Sequence, residues 1–401
     1  MSDLENNDLP LAAVGRHPGG RILAFDGIRG VAAIYIVWGH LCGKFMVLLP
    51  SLTALSWLIR RSNFAVCLFF LISGFLTMLV SEYKIKKLTP KSYLEFIAGR
   101  FLRLYPAYLA ALLLLVVMVC VARVIRLRVN VPLDVCFPWA SLPWEMMMLQ
   151  NWKPGSVTWN YPAWSISVLW WCNLFLFPPL LFVVRRVTDW RLLALMIVFL
   201  TCVYASIHSH SPVDEVGYWI FTISRVIFPF AIGAVLFAIW RIGQVPPRWT
   251  ANLAATGGIG GFFGAHYLSP GMGFVATGIV ITSLILVVLS AGWPNSFIYL
   301  LMKKPLFVSL GKASYSVYLS HALAERIAGA LMPAHSYAGQ GLAIRLAVFT
   351  GYLVLLAGGA AGFYFVIERF CERLHRIWAR KLSSIRIRPV DGDQVQARAC
   401  G

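Results

Sequence analysis

Residues 64–80 read FAVCLFFLISGFLTMLV, a run without one charged side chain. At about 1.5 Å rise per residue, a helix of this run is ~25 Å long, near the thickness of a bilayer's hydrocarbon core. Backbone N–H and C=O groups in lipid must pair within their own segment, so the run is expected to be a helix. Working outward, further apolar stretches occupy Val31 to Leu49, Tyr105 to Val121, Ala163 to Val184, Leu192 to Ser206, Tyr218 to Trp240, Ala251 to Tyr267, Phe274 to Leu289, Ala313 to Met332 and Leu342 to Ile367. Of the 401 residues 59% are hydrophobic and only 13% are charged, with a mean hydropathy of +0.73. That is too little charge to cover a water-soluble surface of this size. The expected fold is all-α, a polytopic membrane protein with about ten transmembrane helices.

Lys and Arg set the expected orientation, because cytosolic loops retain them. The gap from Lys84 to Arg103 is basic, as are Arg185 to Arg191, Arg241 to Arg248, Lys303 to Lys312 and the tail from Arg369 to Arg398. The alternate gaps at Ile207 to Gly217, Leu268 to Gly273 and Pro333 to Gly341 contain neither residue. This alternation places both termini in the cytosol, although Arg60, Arg61, Arg123, Arg126 and Arg128 run against it. Residues 1–20 are polar and lack the basic-then-apolar layout of a signal peptide, so they are expected to be a disordered cytosolic leader. Residues 21–380 then form the transmembrane domain, and 381–401 a basic cytosolic tail. The segment Trp139 to Trp152 (WASLPWEMMMLQNW) has an apolar centre flanked by indoles, which suits an outer-surface or re-entrant helix.

A net charge of +19 raises the question of nucleic acid. Its inward bias instead suits anionic lipid headgroups, so membrane lipids are the expected partners and nucleic acid is not. The eight cysteines show no CxxC and no metal-ligand spacing. His208 and His210 lack an evident third ligand, and no metal is expected. The Gly runs at 257–264 and 358–362 have the small-xxx-small spacing of close helix packing.

Ionisable groups inside spans are costly, and so informative. In Phe25-Asp26-Gly27-Ile28-Arg29-Gly30 an acid and a base sit three apart at the mouth of the first span, with His40 eleven residues beyond Arg29. Eleven residues are close to three helical turns, which puts Arg29 and His40 on one face about 16 Å apart along the axis. An imidazole can take and return a proton near pH 7, and a guanidinium at its mouth suits an anionic substrate. A structural His between helices beside a snorkelling Arg fits the same spacing. Ser314, Tyr318 and His321 form a second polar stripe at helical steps. Arg225 lies inside the sixth span and needs a carboxylate, a carbonyl or an anionic ligand. Arg100 and Arg103 precede Tyr105-Pro106 at the mouth of the third span, as ordinary basic flanks or as phosphate clamps.

These residues, in order from about Ile22 to Arg380, resemble the membrane acyltransferase 3 family, which O-acylates cell-surface sugars and some small molecules. The resemblance is carried by Phe25 to Ala33 ending at His40, by Phe69-Phe70-Leu71-Ile72-Ser73-Gly74-Phe75, and by Arg100-Phe101-Leu102-Arg103-Leu104-Tyr105-Pro106. It continues in Arg225 through Pro229, Phe230 and Gly233, in Tyr315 through His321, and in Glu368-Arg369. One departure stands out: after Trp164-Ser165-Ile166-Ser167-Val168 the family usually has Glu, and here the position is Leu169.

The resemblance implies transfer of an acyl group, most often acetyl, from cytosolic acetyl-CoA or another acyl-CoA to a hydroxyl of a surface polysaccharide or lipid-linked sugar, in the bacterial inner membrane. It makes His40 the general base, Asp26 the group that orients Arg29, and Arg29, Arg100 and Arg103 the holders of coenzyme A phosphates, with His321, Ser73 and Tyr105 lining the site. Polysaccharide assembly proteins are implied as further partners. Two other readings fit the residues: a proton-coupled carrier or exporter, and an inactive family member that assists polysaccharide assembly, which Leu169 makes less remote.

Overall fold

The computed structural model describes residues 22–59, 62–126, 132–152, 158–210, 212, 214–268 and 273–386. The expected leader and the tail beyond 386 lie outside the described residues. Ten long helices follow one another: α1 Leu23–Leu48, α2 Asn63–Lys84, α3 Pro90–Val124, α4 Tyr161–Arg186, α5 Trp190–His208, α6 Glu215–Ile242, α7 Arg248–Leu268, α8 Phe274–Ala291, α9 Pro305–Leu331 and α10 Leu342–Phe363. No strand occurs among the described residues. Eight of the ten are long and apolar enough to cross a membrane. The other two, α7 with 21 residues and α9 with 27, have the length but carry a glycine-rich run and a polar stripe respectively. The protein is an all-α polytopic membrane protein.

Local sequence explains where the helices begin. Thr89 and Ser92 cap α3 reciprocally, the Ser92 amide donating to Thr89 Oγ1 at 3.2 Å and the Thr89 amide to Ser92 Oγ at 2.8 Å. Pro90 and Pro305 occupy first helical positions, where a missing N–H costs nothing. Asp214 accepts from the Gly217 amide at 2.7 Å and so starts α6. Glu82 at the end of α2 lies 3.6 Å from Arg185 of α4 and 3.1 Å from Arg241 of α6. Three of the basic gaps read from the sequence therefore share one end of the bundle.

Helix α9 is held between α1 and α10, and α2 runs along α6. Glycines let the backbones meet. A Cβ on Gly30 would stand 2.6 Å from the Gly311 nitrogen, one on Gly27 would strike the Met302 carbonyl, and one on Gly311 would strike that of Asp26. Gly74 and Gly233 do the same for α2 and α6, against Phe230 and Leu71. The glycine runs are more selective than their spacing suggested. Gly258 and Gly261 lie against Ser283 of α8, and Gly359 meets Ala324, while Gly257, Gly260, Gly264, Gly358 and Gly362 face open space.

The Trp-rich segment enters the bundle. Its short helix Leu142–Met146 reaches the middle of α3, where Tyr105 donates to the Met146 carbonyl at 2.9 Å and Tyr108 to that of Glu145 at 2.7 Å. Met148 then turns in the left-handed region (φ 54°), and its carbonyl accepts from Ser167 at 2.6 Å and Trp171 at 3.2 Å on α4. The segment thus dips between helices, the re-entrant form of the two expected from its indoles.

Candidate active site

Two residues on α1 and two on α9 face one another. His40 and Lys44 are four apart on the first helix, His321 and Glu325 four apart on the second, so each pair shares a helix face. The imidazoles stack with centroids 5.3 Å apart and planes inclined by 27°. One turn along, Lys44 forms an ion pair with Glu325. Tyr161, the first residue of α4, completes the group. Its ring stands 5.0 Å from His40 and 5.7 Å from His321, and its hydroxyl donates to Glu325 Oε2 at 2.5 Å.

The two imidazoles differ in what they can do. His321 is buried, and its Nδ1 lies 2.8 Å from the Tyr318 carbonyl and 3.3 Å from that of Val317. A carbonyl only accepts, so Nδ1 carries the hydrogen and Nε2 is left with a lone pair. Nε2 has no hydrogen-bond partner in the structure. His40 is exposed, and its ring packs on the His321 and Tyr161 rings rather than standing alone. Tyr318 is fixed by a 2.6 Å contact with the Ser165 hydroxyl and by donation to the Pro162 carbonyl at 2.6 Å.

Toward the Glu82 end lies a cluster of guanidiniums. Arg29 sits over the Phe69 ring, 5.9 Å from its centroid, and Arg100 donates to Thr77 at 3.0 Å. The charges of Arg29 and Arg103 both reach Arg100. Phe69, Ser73 and Thr77 are spaced by four along α2, which puts half-buried Ser73 on the face between Arg29's ring and Arg100's partner. Asp26 is buried where α1 crosses α9, with Gly311 against its carbonyl. The Tyr105 hydroxyl is taken up by Met146. At the end of α10 a π-turn, Tyr364–Glu368, carries Glu368 to α9, where the Ser316 amide donates to it at 3.1 Å and the Ser316 hydroxyl donates as well.

Structure thus joins His40 to His321, and Arg29 to Arg100 and Arg103, as two groups along α1. Sequence reasoning passed over Tyr161, Lys44 and Glu325. The available signal was the step of four from each histidine to a charged residue, Lys44 on one helix and Glu325 on the other. Leu169 is half-buried in apolar surroundings that include Tyr108 and Ile166. Glu145 and Glu325 are the enclosed carboxylates on neighbouring segments. Glu145 accepts from the Trp159 amide at 2.7 Å and from Tyr108 at 3.2 Å, and its burial lifts the carboxyl to about 7 against the pull of those two donors.

A family model described as an acyltransferase domain matches residues 22–367, and the chain belongs to the acyltransferase 3 family. It is similar to the acyltransferase MdmB of Streptomyces mycarofaciens, at 24% identity over 88% of this chain and 92% of that protein. It is also similar to the exopolysaccharide production protein ExoZ of Rhizobium meliloti, at 29% identity over 80% and 92%. A shorter stretch, 25% of this chain, is 36% identical to protein 2 in the picA locus of Rhizobium radiobacter and covers 48% of it. No solved structure matches. The protein is a membrane enzyme that transfers acyl groups other than aminoacyl groups.

Proposed function

We propose that this enzyme moves an acyl group, acetyl in the first instance, from cytosolic acyl-CoA to a hydroxyl of a surface polysaccharide or lipid-linked sugar, with His40 as general base. The observation that carries this reading is the stacked His40–His321 pair, set along α1 from three arginines. Arg29, Arg100 and Arg103 bind the donor's phosphates, for which a planar fork of N–H donors is suited. Ser73 and Tyr105 line that approach, and Asp26 holds the crossing from which Arg29 projects.

His40 takes the proton of the acceptor hydroxyl as its oxygen attacks the thioester carbonyl. That attack makes the new C–O bond, and the tetrahedral intermediate collapses as its carbonyl re-forms and the C–S bond breaks, expelling coenzyme A as a thiolate. The imidazolium then returns its proton to the thiolate. His321 backs the ring, with its tautomer set by the Tyr318 carbonyl. Tyr161 and the Lys44–Glu325 pair border the histidines on the side away from the arginines. The exopolysaccharide role in the name of the Rhizobium meliloti relative supports a glycan acceptor.

The basic gaps face the cytosol in this reading, the termini with them, in the bacterial inner membrane. Inverted vesicles supplied with labelled acyl-CoA test it directly. The wild type labels an ester and releases free thiol, while His40→Ala inserts and retains acyl-CoA but labels at background. Full labelling by that variant removes His40 from the chemistry, and substrate movement without thioester consumption identifies a carrier.

A further inference from the structure

Arg225 sits in the middle of α6 without a carboxylate within ion-pair distance among the described residues, and neither the histidine site nor the arginine cluster uses it. Its guanidinium lies over the Trp164 ring at 5.4 Å and makes a long, exposed contact of 3.5 Å with the Asn63 carbonyl. A single weak bond leaves most of its five donors for something else. Its position is close to the chemistry, since its charge reaches both His40 and Tyr318. Trp164 precedes Ser165, whose hydroxyl meets Tyr318.

Depth places it on the side opposite the arginine cluster. The Glu82–Arg241 bridge puts the end of α6 beside the end of α2, so α6 starts at the end where α1 finishes. Arg225 is ten residues from Glu215 and His40 eight from Leu48, about 15 and 12 Å along their axes. The two groups are at nearly one level, reached from the face that does not carry the basic gaps.

We propose that Arg225, on its Trp164 platform, is an acceptor-side anion subsite that grips a phosphate or carboxylate of the glycan next to the hydroxyl to be acylated. This rests on the acyl-transfer reading above. A guanidinium pairs with either anion through two parallel bonds, while the indole face holds the guanidinium in place.

The test uses right-side-out vesicles holding the full chain and labelled acetyl-CoA inside, with the host's extracted membrane glycan added outside as acceptor. Arg225→Gln should raise the acceptor KM about tenfold or more, the scale of one charge-assisted hydrogen bond, with the acetyl-CoA KM unmoved, and Arg225→Lys should recover part of the loss. External pyrophosphate or glucuronate should compete with the acceptor in the wild type and not in Arg225→Gln. Competition by pyrophosphate assigns the subsite to a lipid-linked phosphate, and competition by glucuronate to an acidic sugar. If Arg225→Gln accumulates poorly, the wild-type competition decides alone. An acceptor KM unchanged by Arg225→Gln, or no competition by either anion, overturns the proposal. His40→Ala run in parallel separates the outcomes, because activity there defeats the underlying reading and inactivity leaves it standing.

Discussion

His40 and His321 stack at 5.3 Å although they come from opposite ends of the chain, and only His321 has its hydrogen committed to a backbone carbonyl. In the proposed reaction the exposed ring is the one that meets a substrate hydroxyl, and the buried ring sets the surface behind it. Replacing His40 by Ala should lower transfer by the ~10²- to 10⁴-fold typical of a general base. His321→Ala should fall in the same range. Because the rings act as a unit, the double variant should be no worse than the weaker single. Turnover of labelled acyl-CoA in vesicles checks this, and losses that multiply would assign the two rings independent roles.

Lys44 and Glu325 form a half-buried ion pair whose carboxylate also accepts from Tyr161. Removing one partner strands the other's charge, so Lys44→Met and Glu325→Gln should each accumulate poorly, and Lys44→Met/Glu325→Gln should recover membrane yield. Turnover should recover less than yield, since the amide oxygen left by Glu325→Gln is a weaker acceptor than a carboxylate for the Tyr161 hydroxyl that holds the ring against both imidazoles. Tyr161→Phe keeps the ring and loses one hydrogen bond to a charged acceptor, about 1.5–3 kcal/mol. Immunoblots of membranes beside specific activity separate folding from function here.

Backbone contact at the α1–α9 crossing makes Gly311 intolerant. A methyl group there would strike the Asp26 carbonyl, and backbone cannot move aside as a side chain can. Gly311→Ala should abolish accumulation of folded protein, while Gly260→Ala and Gly264→Ala, which face open space, should accumulate as wild type. Size-exclusion profiles of detergent extracts read the difference, and a normal Gly311→Ala profile would mean that the helices separate freely at this point.

The ten helices were legible because lipid imposes a length and composition that a single sequence displays. Even α9, which does not reach the composition of the eight clearest spans, shows in the sequence as the apolar stretch Ala313 to Met332. Arg29 and His40 were legible because one helix fixes their spacing. The contact of Lys44 with Glu325 was not, since two residues on distant helices have no spacing to read, and the opening turn of α4 gives no sign that Tyr161 reaches them. The Tyr105 motif shows the converse: its hydroxyl serves a re-entrant segment whose depth only the packing reveals. Likewise the glycine runs gave spacing without saying which face meets a neighbour.

That re-entrant segment carries the protein's clearest pH dependence. Glu145 is fully buried and its carboxyl is raised from an ordinary 4.5 to about 7, first by burial. In the native state it therefore keeps a proton that the unfolded chain has released between those two values. Stability must fall as pH rises through this window, by up to ~3 kcal/mol at its upper end, because the native state binds more protons than the unfolded one. Melting temperature in detergent should drop between pH 5 and about 7 and flatten above. Glu145→Gln cannot ionise and keeps one acceptor oxygen for the Trp159 amide, while the Tyr108 hydroxyl retains the Glu145 backbone carbonyl, so its melting curve should vary much less over the same range. A wild-type melting temperature that rises across the window would mean that the two donors outweigh burial and that the carboxylate is the native form.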